Sequence, residues 1–211
     1  MVSEFYSSQM NGVVLISSNG SNMQSIIDKA NSIDLTICCV ISNKTDAFGL
    51  KRAAKVGIPF KAIDETLFES KLGFDQELIK VIENYQPEVI ILAGYMRILS
   101  ADFIAKYFGK ILNIHPSLLP KFKGLNTHQR AIDSLEKKHG ASVHFVTEEL
   151  DGGPVIAQDF VRINSTDNVQ TLAKKVLDKE HALYPKTIHW YTQGRLKLID
   201  NNTATLDKKT L

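Results

Sequence analysis

The run Glu88-Val-Ile-Ile-Leu-Ala93 is apolar at nearly every position. That pattern belongs to a central parallel strand covered by helices on both faces. It constrains the rest of the chain, because parallel neighbours need crossover connections and those are usually helical. The chain supplies them. Val13-Val-Leu-Ile-Ser17 ends at the turn Ser18-Asn-Gly-Ser-Asn22, after which Met23, Ile26 and Ile27 recur at helical spacing. Leu35 to Ser42 is a second strand, Ala47 to Val56 a second helix stopped by Gly57-Ile-Pro59, and Phe60 to Ile63 a short third strand. A helix is expected from about Asp75 to Tyr85, and Ser100 and Asp102 open a short one before a strand at Lys110 to Ile114.

Ala141 to Thr147 and Pro154 to Ile163, separated by Asp151-Gly-Gly, read as two antiparallel strands added at the later end of the sheet. Val169, Leu172, Val176, Leu183 and Ile188 predict a long final helix from Asn168 to Gln193, disturbed at Pro185. The expected fold is therefore α/β, a single doubly wound, mostly parallel sheet with helices on both faces. Residues 12–200 form the domain, residues 1–11 a flexible leader and residues 201–211 a loose polar tail.

With 211 residues, 44% of them hydrophobic, the chain suits one core better than two. Its 25 basic and 23 acidic side chains are scattered and leave a formal charge of +2, so no nucleic-acid footprint exists. The first twelve residues carry Glu4 and no apolar run, and no later stretch reaches the length of a membrane span. Cys38 and Cys39 are neighbours on a strand, pointing to opposite faces, and fit packing in a reducing cytoplasm. No histidine pairs with them in a metal-ligand spacing, so no metal is expected.

Two places could carry chemistry. In the turn at Gly20, Ser21 and Asn22, backbone N–H groups at a helix start suit a phosphate, although Ser and Asn also serve there as plain caps. The turn lacks the G-x-G-x-x-G spacing, which disfavours a nicotinamide dinucleotide. The second place is "NIHPSLLP". Side chains two apart on a strand share a face, so Asn113 and His115 project together, and Pro116 keeps the chain extended after them. An imidazole that moves protons and an amide that donates to a developing oxyanion suit acyl transfer. Ser117 lacks the G-x-S-x-G elbow, so the nucleophile is expected from the substrate. Asp151, in a flexible turn, is expected to fold over the same strand end and raise the His115 pKa. His144 reads equally well as a packed support.

"VVLISSNGSNMQSIID", "ISNKTDAFGLKRA", "ILAGYMRILS", "NIHPSLLPKFKG" and "HGASVHFVTEELDGGPVIAQ" occur in the order and approximate spacing of the glycinamide ribonucleotide formyltransferases. The chain resembles that folate-dependent family of purine synthesis over about residues 12–197. The resemblance implies a formyltransferase fold and formyl transfer from 10-formyltetrahydrofolate, a co-substrate, to the amine of phosphoribosyl glycinamide, with no metal. It makes His115 the general acid/base, Asn113 the oxyanion donor and Asp151 the tuning carboxylate. It gives Gly20, Ser21 and Asn22 the phosphate and Glu180 the ribose hydroxyls. The folate is implied to lie against Met96, Arg97, Ile98 and Leu99, under the loop Thr147, Glu148, Glu149, Leu150 and Asp151, with Lys71 near its glutamate tail. Leu177 departs from relatives that carry a polar or basic residue there. The implied partners are small molecules, not nucleic acid or membrane, for a cytoplasmic monomer or homodimer. A methionyl-tRNA formyltransferase would need a further domain after residue 200. A formyltetrahydrofolate hydrolase typically begins with a regulatory domain and does not need the phosphate turn, and a non-catalytic module of the same architecture is the rival from another class.

Overall fold

The computed structural model describes residues 9–211. Five strands run parallel: β1 (Met10–Ile16), β2 (Leu35–Ser42), β3 (Phe60–Ala62), β4 (Val89–Leu92) and β5 (Ile111–His115). Strands β6 (Lys138–Phe145) and β7 (Val155–Arg162) add antiparallel, giving the order β3-β2-β1-β4-β5-β6-β7. The chain works outward from β1 to β3 and then returns to β4 on the other side of β1. That reversal opens a crevice beyond the carboxyl ends of β1 and β4.

The side-chain alternation of β1 assigns two cores. Val14 and Ile16 join Val40, Ile91 and Leu112 on the face covered by α1 (Ser21–Ile27), α2 (Phe48–Lys55) and α6 (Val169–Thr192). Val13 and Leu15 join Cys39, Ile41 and Ile90 on the face covered by α3 (Lys71–Glu83) and α4 (Ala101–Lys106). Such burial stabilises by about 1.5–3 kcal/mol for each large aliphatic side chain. Both cysteines are free.

Four expectations need correction. Helix α3 begins at Lys71, not near Asp75, because Ser70 caps it by accepting from the Gly73 N–H at 3.0 Å while Phe74, Leu78 and Ile82 fill the core at intervals of four. Helix α6 continues through Pro185, with Leu183, Tyr184 and Ile188 buried around it. The Tyr184 hydroxyl lies 3.0 Å from the Leu92 carbonyl and 2.9 Å from that of Leu112, so the helix is fastened to the middle of the sheet. Residues 201–211 are not loose: β8 (Leu196–Asp200), β9 (Thr203–Leu206) and β10 (Lys209–Thr210) form an antiparallel sheet of their own. Of the proposed leader, residues 1–8 lie outside the described residues, and Met10 and Asn11 belong to β1. A further helix, α5 (Thr127–Asp133), follows the loop after β5.

Candidate active site

Asn113 and His115 leave β5 on the same face as expected, and the antiparallel register brings a third group to them. His144 on β6 stands directly opposite Asn113, and Ser142 opposite His115. The Asn113 Nδ2 lies 3.1 Å from the His144 Nε2. His144 Nδ1 lies 2.8 Å from the Phe145 carbonyl, a contact that needs Nδ1–H and leaves Nε2 free to accept from the amide of Asn113. The sequence placed His144 low because alternation alone gives its face but not its partner. Only the register of β5 against β6 makes it the group that orients Asn113.

Asp151 arrives on the loop between β6 and β7 with a positive φ of 47°. Its Oδ2 accepts the Gly124 N–H at 2.9 Å and lies 3.3 Å from the His115 Nδ1, while Oδ1 is 3.6 Å from His144 Nε2, too far for a hydrogen bond. On its other side, His115 Nε2 lies 2.9 Å from the Phe122 carbonyl. Two acceptors on two ring nitrogens favour the imidazolium. Burial opposes it, since His115 is only 6% exposed. Burial is the larger effect and holds the His115 pKa below 6.5, with the Phe122 carbonyl and the Asp151 carboxylate pulling it back up. The expected rise therefore survives as the contribution of Asp151, not as the net result. Burial pushes the Asp151 carboxyl upward, but the nearby imidazoles of His144 and His115 and the Gly124 N–H outweigh that and hold it below its usual value.

A cleft of about 500 Å³ ends on Asn113, His115 and Asp151 and is walled by Met96, Ile98 and Leu125. A smaller hollow of about 80 Å³ joins it at Asn113 and Asp151 and runs under Thr147, Glu148, Glu149 and Leu150. Leu99 is buried there, whereas Met96 and Ile98 are 64% and 58% exposed. The 147–151 loop is tied down by the Lys123–Glu149 ion pair at 2.6 Å and by the Gly124–Asp151 bond. Lys71 does not reach either cavity: its Nζ donates to the Leu99 carbonyl at 2.9 Å, behind the wall. Arg97 is no ordinary surface charge, since it pairs with Glu65 at 2.6 Å. Ser117 is fully buried, with its hydroxyl donating to the Lys121 carbonyl at 2.6 Å.

The turn expected to take a phosphate lies at the carboxyl end of β1. Gly20 has φ 72° and no side chain caps α1, so the first N–H groups of Ser21 and Asn22 have no side-chain acceptor within the turn. A Cβ on Gly20 would stand 2.9 Å from the Gly49 Cα, so both the backbone and the packing require glycine there. Asn22 Nδ2 donates to Glu180 Oε2 at 2.7 Å, joining two residues 158 positions apart. Leu177 lies half-buried one turn before Glu180 on α6. Arg52, which carries no local signal in the sequence, donates twice to Asn19 at 2.9 Å and brings a cation to the turn.

A model of the family described as "Formyl transferase" matches residues 10–188. Over 204 residues, 96% of both chains, the sequence is 51% identical to phosphoribosylglycinamide formyltransferase of Escherichia coli (strain K12). It is 46% identical over 200 residues, 94% of both, to the same-named protein of Haemophilus influenzae. The solved phosphoribosylglycinamide formyltransferase of Coxiella burnetii superposes with a TM-score of 0.92 at 45% identity, covering 96% of this chain and 95% of that one.

Proposed function

The chain belongs to the formyl transferase family, and we propose that it moves the formyl group of 10-formyltetrahydrofolate onto the amine of phosphoribosyl glycinamide in purine synthesis. The observation that carries this reading is the convergence of Asn113, His115 and Asp151 at the end of one cleft, with the nearby Ser117 hydroxyl buried and committed to the Lys121 carbonyl. The substrate amine then attacks the formyl carbon. As the carbonyl oxygen takes on negative charge, the Asn113 amide, aimed by His144, donates to it. One proton must leave the attacking nitrogen and one must reach N10 of the folate before the C–N10 bond breaks. His115 carries that transfer, with Asp151 favouring the cationic ring whenever the proton rests there.

The turn at Gly20, Ser21 and Asn22 takes the phosphate of the ribonucleotide, and Glu180, already bonded to Asn22, takes its ribose hydroxyls. The folate ring lies against Met96, Arg97, Ile98 and Leu99 beneath the loop Thr147 to Asp151. Lys71 meets the glutamate tail only after releasing the Leu99 carbonyl. Among the described residues no helix is long and apolar enough to cross a membrane, and the two free thiols suit a cytoplasmic protein.

Loss of the formyl group, followed by absorbance with and without phosphoribosyl glycinamide, tests the assignment. Loss that requires the amine is expected. Loss without it makes the protein a hydrolase, and no loss in either case makes it a binding module. His115→Ala and Asp151→Asn should each lower kcat by about 10²-fold or more while leaving ribonucleotide affinity nearly unchanged. Wild-type turnover in either variant would remove that residue from the mechanism.

A further inference from the structure

The carboxyl ends of four adjacent strands are joined by one polar chain. Ser17 follows β1, Asn43 follows β2, Glu65 follows β3, and Met96 and Arg97 follow β4. The Met96 N–H donates to Ser17 Oγ at 2.7 Å, and Ser17 Oγ donates to Asn43 Oδ1 at 2.6 Å. Asn43 Nδ2 donates to Glu65 Oε2 at 3.0 Å, and Arg97 Nη1 closes the loop on the same oxygen at 2.6 Å. Two successive residues of one loop, one through its backbone and one through its guanidinium, are thus held by a single carboxylate and the amide beside it.

Surface ion pairs usually contribute little, but this one is not a surface pair. Ser17 and Asn43 are buried, and the side chains of Arg97 and Glu65 are only 20% and 25% exposed. The Arg97 guanidinium also lies 4.0 Å over the ring centroid of the buried Phe74, so its plane is fixed on one side and its head on the other. The bonds from Arg97 and Asn43 hold the Glu65 carboxyl below its usual range, so it is fully ionised near neutral pH. Beside Arg97, the loop presents open apolar side chains to the cleft: Met96 and Ile98 stand exposed along the 500 Å³ cavity. Exposed apolar side chains on a rigid backbone form a preorganised wall, while Ser17, Asn43 and Glu65, which anchor it, line neither cavity.

We propose that Glu65 is a positioning residue for the folate subsite, holding Arg97 and through it the Met96–Leu99 wall in the conformation that receives the folate ring. This rests on the folate reading of that wall. Glu65 itself lines neither cavity beside Asn113, so it acts through Arg97.

The test compares wild type, Glu65→Ala, Glu65→Gln, Arg97→Ala and the Glu65→Ala/Arg97→Ala double variant. In each, KM for both substrates, kcat, a direct folate titration and a thermal melt are measured. Glu65→Ala should raise KM and Kd for the folate about tenfold, with kcat and the ribonucleotide KM within about twofold of wild type. Glu65→Gln keeps an oxygen that accepts from both partners and should recover most of the affinity. The double variant should be no worse than Arg97→Ala, because the two residues act in series. Unchanged folate affinity in Glu65→Ala, independent multiplication of the two single effects, or equal loss for both substrates with a lowered melting point would each overturn the proposal. A wild type that binds folate but transfers nothing overturns the assigned reaction and leaves the titration to decide on Glu65.

Discussion

Glu180, proposed to hold the ribose hydroxyls, would set function against stability. It is 6% exposed, and burial raises its pKa despite the hydrogen bond from Asn22. A carboxyl whose folded pKa lies above its unfolded value stabilises the fold at low pH, and that contribution is lost as the pH rises through the folded value. Near neutral pH its ionisation is therefore a standing cost. Glu180→Gln keeps an acceptor for Asn22 and removes the charge, so the melting temperature at pH 7 should rise. On the proposed role of Glu180, the KM for the ribonucleotide should rise about tenfold, since a charge-assisted bond to a ribose hydroxyl would be replaced by a neutral one. Melting curves and initial rates measure the two effects together, and a lower melting temperature with unchanged KM would contradict both. At this scale the sequence was uneven. Asn113 and His115 were legible because strand geometry is local, whereas the His144–Asn113 contact and the Glu65–Arg97 pair depend on register and on strand order. No spacing in the chain encodes either.

Elements that bury apolar faces were readable, and the loop that packs against His115 was not. Residues 116–137 cross the edge of β5 and β6 and include α5, which brings His128 Nδ1 to 3.1 Å from His139 Nε2. His139 is 1% exposed, and burial, with help from the neighbouring imidazoles of His128 and His115, lowers its pKa from 6.5 to about 4. The unfolded chain then takes up a proton at His139 that the folded chain refuses. The resulting stability is complete above pH 6.5 and is lost as the pH falls toward about 4. A shift of that size corresponds to at most ~3 kcal/mol. The urea midpoint should therefore drop between pH 7 and pH 5, and His139→Phe should flatten that drop by removing one of the titrating groups. An equally steep dependence in the variant would place the loss elsewhere. The histidines are visible in the sequence, but their pairing is not, because it joins a helix to a strand across a loop rich in prolines and glycine.

For the molecule as a whole, the division of labour between the sheets is the part the sequence concealed. Leu196-Lys-Leu-Ile-Asp200 and Thr203-Ala-Thr-Leu206 are too mixed in polarity to stand out. They become strands because Leu196 and Ala204, 2% and 1% exposed, complete the core under α6 beside Tyr184 and Ile188. The Arg195–Asp207 pair, with bonds of 2.8 and 2.7 Å, closes their open end but is exposed and adds little. None of these residues lines the cleft at Asn113 or the turn at Gly20. Removing residues 201–211 strips β9 and β10 from β8, uncovers Leu196 and leaves its ladder unpaired. Loss of that packing should cost about 2–4 kcal/mol, a fall on the order of 10 °C in melting temperature for a chain of this size. Both Michaelis constants, measured at a temperature where the shortened chain is still folded, should stay within about twofold of wild type. A truncated protein with native melting but a weakened KM would mean that the small sheet communicates with the cleft through α6. The same outcome would move Tyr184, which joins that helix to β4 and β5, from the core into the catalytic apparatus.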